Sequence, residues 1–207
     1  AYEKQRRYLL AAAEYQRFAK LYAGSQRVPV AEYRRARMYY LSSPMYQLDQ
    51  SDSRKAIELY QLFIERYPQH ELVATAQEHI AELRGKLAHK KFEAAELYER
   101  RQMYEAAAKT YESLFDQYPE TDWADDALYG AVRSYVDYAD NSVRSKQDDR
   151  YQKAVDNYQR LTQLFPESNK TRQAQSLFER ARAQLDQLRE QEESSESIAE
   201  GDSTESA

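Results

Sequence analysis

Apolar residues in this 207-residue chain recur three and four positions apart over long stretches, the spacing of one buried face of an α-helix. The clearest stretch holds Tyr104, Ala107, Tyr111, Leu114, Tyr118 and Pro119, at offsets 0, 3, 7, 10, 14 and 15. The same offsets return at Ser53, Ala56, Tyr60, Phe63, Tyr67, Pro68 and at Tyr151, Ala154, Tyr158, Leu161, Phe165, Pro166. A worn copy, Tyr8, Ala11, Tyr15, Phe18, Tyr22, Ala23, lacks the proline. Eight residues beyond the last position of each copy stand Ala31, Ala76, Ala127 and Ala174. Each copy therefore predicts a helix, a turn and a second helix packed closely on the first through a small residue.

The pattern predicts helices over 7–22, from Pro29 to Leu41, from an Asp52 or Ser53 cap to Tyr67, and over 104–118, 150–165 and 169–192. A further helix runs from a Thr121 cap and Trp123 to Asp140, and residues 141–149 read as a polar loop. Residues 71–101 read as one long amphipathic helix serving two neighbouring repeats, with Gly85 marking close packing or a bend. A tight break is expected at Gln102-Met103. The copies start 45, 51 and 47 residues apart, more than the 34 of a minimal tetratricopeptide unit. The expected fold is all-α, a tetratricopeptide-like superhelical solenoid of antiparallel helix pairs over residues 1–192 with a long shared central helix. Residues 193–207 read as a disordered acidic tail.

Composition supports this picture. Only 4 Gly and 5 Pro occur, leaving little turn chemistry for anything but helices. The 19 Tyr suit a thin core with water close on both sides, since each ring carries a polar tip. The absence of Cys excludes disulfides, thiol nucleophiles and Cys-ligated metal centres. Seven acids and no Lys or Arg lie from Glu190 onward, so a net charge of −5 leaves the body at about +2; nucleic acid is not the expected partner. The chain starts at Ala1 within a repeat pattern, and an upstream portion with any signal or lipid anchor is expected.

No catalytic constellation stands out. His79 and His89 are too far apart along one helix to share a metal, and all three histidines read as solvated surface. Neither a cofactor nor a metal site is expected, and no enzyme. The informative positions are those where the copies differ: Glu105, Lys109 and Thr110 in one helix, and Tyr33, Arg34, Arg37 and Tyr40 in another. Basic and aromatic residues interleaved on a concave face fit an extended peptide or a C-terminal carboxylate; the alternative is an ordinary solvated face.

The run from Leu83 to Tyr98, followed by Tyr104-Glu-Ala-Ala and Tyr118-Pro-Glu-Thr121, resembles the BamD family, the tetratricopeptide lipoproteins of the outer-membrane β-barrel assembly machine. Leu48 to Ala56 is similar to the Asp/Arg-rich opening of that family's third repeat, and the likeness extends over about residues 2–190. It implies repeats two to five without the first repeat and the lipidated cysteine. It also implies a non-enzymatic scaffold on the periplasmic face of the outer membrane, docked on the last periplasmic POTRA domain of BamA. Other assembly-machine lipoproteins and the C-terminal segments of unfolded outer-membrane proteins are the further partners it implies. Carried over by position, the BamA-facing residues are Arg100, Arg101, Tyr104, Lys109 and Thr110. Thr110 stands where some members have an arginine that contacts BamA, and neighbouring Lys109 does not reproduce a bidentate arginine contact. A different periplasmic tetratricopeptide adaptor, of the Tol–Pal coordinator type, is the alternative, distinguished by an N-terminal coiled coil.

Overall fold

The computed structural model describes the backbone of residues 2–205 and the side chains of residues 2–191 and 194. Among the described residues eight α-helices follow one another: α1 (Tyr8–Leu21), α2 (Val28–Ser42), α3 (Ser51–Arg66), α4 (Val73–Arg100), α5 (Tyr104–Gln117), α6 (Ala124–Asp140), α7 (Gln147–Leu164) and α8 (Asn169–Glu205). The chain divides into two compact units, residues 1–90 and 91–207. The boundary falls inside α4.

The turn inside each of the four repeat copies is made in the same way. Tyr22, Tyr67, Tyr118 and Phe165 end their helices with φ between −121° and −136° and ψ between 45° and 58°. Each donates its N–H to the carbonyl four residues back, at 2.9 Å. The prolines that follow the last three are exposed; they stop the helix by withholding an N–H and packing nothing. The Ala, +7 and +10 positions form the core. Ala56, Tyr60 and Phe63, and Ala107, Tyr111 and Leu114, are all fully buried. Ala31, Ala76, Ala127 and Ala174 are buried too, as the matched small residues require. The first copy is shallower: Tyr15 and Phe18 are only half-buried.

In the first unit, Tyr33 of α2 lies edge-on to Phe63 of α3, with ring centroids 5.6 Å apart, and Ala11, Ala12 and Met38 bring the start of α1 to the end of α2. In the second unit, Tyr135, Val136 and Ala139 of α6 share a core with Tyr151, Ala154 and Val155 of α7 and with Ala181, Leu185 and Leu188 of α8. The buried phenols have polar partners, as buried hydroxyls need: Tyr135 donates to Glu112 at 2.7 Å and Tyr151 to Asp140 at 2.6 Å.

Some expectations are corrected. Thr121 does not cap α6; its hydroxyl donates to the Tyr118 carbonyl at 2.9 Å, tying the turn instead. Neither Asp52 nor Ser53 caps α3; its N-cap is Gln50, with no side-chain capping bond, and Asp49 accepts the Ser51 N–H at 2.9 Å just ahead of it. The polar stretch 141–149 contains a 3-10 turn at Arg144–Lys146, and α7 starts at Gln147, because Asp148 and Asp149 favour the positive end of a helix. The backbone is helical to Glu205. Apart from Ser194, the side chains of the acidic tail expected from 193 lie outside those described.

Gly85 is not a close-packing site, since a Cβ there would meet nothing within 4 Å. The intolerant glycine is Gly130, unremarked in the sequence reading, where a Cβ would lie 2.6 Å from Tyr111 Cζ. Gly85→Ala is therefore expected to stabilise the chain by about 1 kcal/mol, and Gly130→Ala to destabilise it by about 1–3 kcal/mol through overpacking against a buried ring. Urea unfolding followed by circular dichroism measures both; equal effects of the two would contradict the packing described.

Tyr60, Tyr111 and Tyr135 have their pKa raised first by burial, and Tyr151 is pushed up to about 12 by burial and Asp140. A raised folded pKa stabilises fully below the unfolded value, about 10 for tyrosine, and that stability is lost as pH rises from there through the folded values. The melting temperature is thus expected to hold constant from pH 8 to about 10 as far as the tyrosines are concerned, then to fall steeply. Absence of that fall in a thermal scan to pH 12 would show the rings to be solvated.

Candidate functional site

Helix α4 ends in a corner. Gln102 takes a left-handed conformation, φ 59°. Its N–H donates to the Glu99 carbonyl at 2.8 Å, and the Met103 N–H donates to the Tyr98 carbonyl at 2.9 Å. This is a Schellman ending with glutamine where glycine is usual, and α5 starts two residues later. The break expected at Gln102-Met103 is therefore present.

A surface groove of about 610 Å³ opens beside the corner, lined by Met103, Tyr104, Lys109 and Tyr138 among others. On its wall Lys109 Nζ meets Glu105 at 2.5 Å, and the Tyr138 hydroxyl donates to the same carboxylate at 2.6 Å. Those two hydrogen bonds hold the Glu105 carboxyl below its ordinary range. The Arg150 guanidinium lies 3.6 Å from the Tyr138 ring centroid, a cation–π contact. Arg101 is exposed at the corner itself, and Arg100 reaches back to Glu96 at 3.4 Å.

Of the five residues expected to face a partner, Tyr104 and Lys109 line the groove, and Arg100 and Arg101 directly precede Gln102 at the corner. Thr110 is different. Its hydroxyl donates to the Ala106 carbonyl at 2.6 Å, the back-bond of a threonine within a helix, and offers no free donor.

Beneath the corner lies a cluster absent from the sequence reading. Glu99 accepts two bonds from Arg133 of α6, from Nε and Nη2, each at 2.5 Å. Tyr111 of α5 adds a third at 3.3 Å. The Glu99 side chain is only 16% exposed. Nearby Asp137 has its pKa raised, first by burial and then by Glu99.

The residues expected to grip a peptide in the first unit do not form one site. Tyr33 is buried, 6% exposed, against Tyr60 and Phe63. Tyr40 stacks on His79 with centroids 4.1 Å apart and donates to Glu82 at 2.5 Å; that bond, with burial, pushes its pKa up to about 12. Arg37 pairs with Glu3 at 3.1 Å. Only Arg34 reaches an open groove, of about 960 Å³, lined also by Tyr15, Phe18, Val30 and Ala31; it donates to the Tyr15 hydroxyl at 3.4 Å. The reason is register: positions 33 and 40 lie on the face of α2 that meets α3 and α4, so half of the interleaved pattern is core.

His79 is likewise not solvated. Its Nδ1 is 2.8 Å from the Tyr60 hydroxyl, and burial lowers its pKa. Among the described residues no cluster of His, Asp or Glu is arranged to hold a metal ion, and no helix is long and apolar enough to cross a membrane.

None of the curated proteins matches the chain. The family model of the YfiO outer membrane lipoproteins matches residues 1–147, which covers α1 to α6 and therefore the corner, its groove and the Glu99 cluster. This is the BamD-type family of scaffold lipoproteins. With more than half its length matched, the chain belongs to the YfiO outer membrane lipoprotein family.

Proposed function

We propose that this chain is a non-enzymatic scaffold of outer-membrane β-barrel assembly, working at the periplasmic face of the outer membrane. The family match over residues 1–147 carries the reading. In it the second unit docks on the periplasmic POTRA region of BamA through the α4–α5 corner. Met103, 49% exposed, and Tyr104 supply apolar area, and Arg100, Arg101 and Lys109 supply charge at the rim. Rim charges steer and orient a partner more than they hold it. The first unit, with the open groove bordered by Arg34, is the surface that receives C-terminal segments of unfolded outer-membrane proteins. Other lipoproteins of the machine are further partners, and a lipid anchor attached upstream is the membrane link. A tetratricopeptide-like solenoid is the architecture that fits these hairpins.

The test is binding of the folded chain to BamA's periplasmic domains, by pull-down and then calorimetry. Arg101→Glu with Lys109→Glu is expected to weaken binding about tenfold with unchanged helicity. Thr110→Ala is expected to leave affinity unaltered, because its hydroxyl already serves the backbone. Absence of binding by the helical wild-type chain would remove the docking reading.

A further inference from the structure

We propose that Glu99 is a positioning residue of the α4–α5 corner: its clamp on Arg133 and Tyr111 holds the left-handed turn that presents Arg101, Met103 and Tyr104. The consequence for binding rests on the docking reading above; the clamp itself does not.

Three observations carry it. The first is economy of placement. Glu99 uses its carboxylate to hold α6 through Arg133 and α5 through Tyr111. Its backbone carbonyl accepts the Gln102 N–H that closes the left-handed turn. One residue thus joins the corner to both helices packed on it.

The second is electrostatic. A carboxylate in the last turn of a helix faces the negative end of the helix dipole, and burial adds a desolvation cost. Glu99 stays there because a guanidinium grips it in two parallel bonds, the geometry that arginine alone offers. A glutamate without that partner would turn to water.

The third is internal duplication. Glu3 accepts from Tyr15 at 3.1 Å and from Arg37 at 3.1 Å. Arg6 is left-handed with φ 57°, and the Arg6 and Arg7 N–H groups close the turn on the Glu3 and Tyr2 carbonyls. The shift from Glu3 to Glu99, Arg6 to Gln102, Tyr15 to Tyr111 and Arg37 to Arg133 is 96 positions in every case. The other two copies of the repeat lack both features. The positions matching Glu99 are Leu48 and Lys146, and Arg6 and Gln102 are the only left-handed non-glycine residues among those described. Clamp and left-handed corner occur together or not at all. Neither Arg6 nor Gln102 is glycine, so each turn must be held from outside.

The experiment compares Glu99→Gln, Glu99→Gln with Gln102→Gly, and Leu161→Ala as a destabilised control whose lesion lies in α7. Hydrogen exchange of the full chain reads the Gln102 and Met103 amides against the Tyr111 amide. Glu99→Gln is expected to speed the two corner amides about tenfold or more relative to Tyr111 and to weaken binding of the BamA periplasmic fragment about tenfold. Adding Gln102→Gly restores both, since glycine holds a left-handed turn unaided. Leu161→Ala lowers the melting temperature but leaves corner exchange and affinity within about twofold of wild type. Corner amides that exchange in Glu99→Gln as in wild type overturn the proposal. So does a loosened corner that binds the fragment with wild-type affinity, or a Leu161→Ala chain as impaired at the corner as Glu99→Gln. A loosened and rescued corner in a chain whose wild type does not bind the fragment supports the clamp and removes only the docking reading.

Discussion

Tyr111 has almost no freedom, and the second unit is arranged around that fact. One face of its ring lies against Gly130, where no side chain fits. Phe92 of α4 meets it edge-on at 5.6 Å between centroids. Its hydroxyl reaches Glu99. Helices α4, α5 and α6 therefore converge on one side chain, and the corner between α4 and α5 sits directly over it. The close approach of α6 is possible only because residue 130 is glycine and residue 127 is alanine. A ring packed this tightly transmits any change in its neighbours, because packed interiors do not deform continuously.

The same economy explains the richness in tyrosine. A large ring packed between helices is taken out of water, and a phenol there needs a polar partner. Tyrosine places a hydroxyl at the far end of the ring and bonds it to an acid or a histidine of another helix. Tyr40 with Glu82, Tyr60 with His79, Tyr111 with Glu99, Tyr135 with Glu112 and Tyr151 with Asp140 are all such pairs. Many acids that a sequence reader assigns to a solvated face are in fact the partners of core tyrosines.

That division also separates scaffold from docking surface. Arg133 and Arg37 are structural cations, each spent on a glutamate at a helix end. Arg34 and Lys109 line grooves, and Arg101 is exposed at the corner. A count of basic residues along a helix does not distinguish these two kinds; a carboxylate from another element does.

The repeat offsets determined the helices, their turns and the buried Ala, Tyr and Leu positions, because helical periodicity and aromatic-proline endings are local properties of the chain. The break at Gln102 was legible for the same reason, as an interruption of a regular period. Which face of α2 is core was not. Tyr33 and Arg34 are neighbours with opposite fates, and only the placement of α3 and α4 decides between them. Nor was the clamp legible: Glu99, Tyr111 and Arg133 lie on three helices, and their meeting depends on the tertiary packing that brings α6 against Tyr111. Local periodicity fixes which residues share a helix face. What that face meets, and which charges are thereby consumed, is decided only when the helices pack.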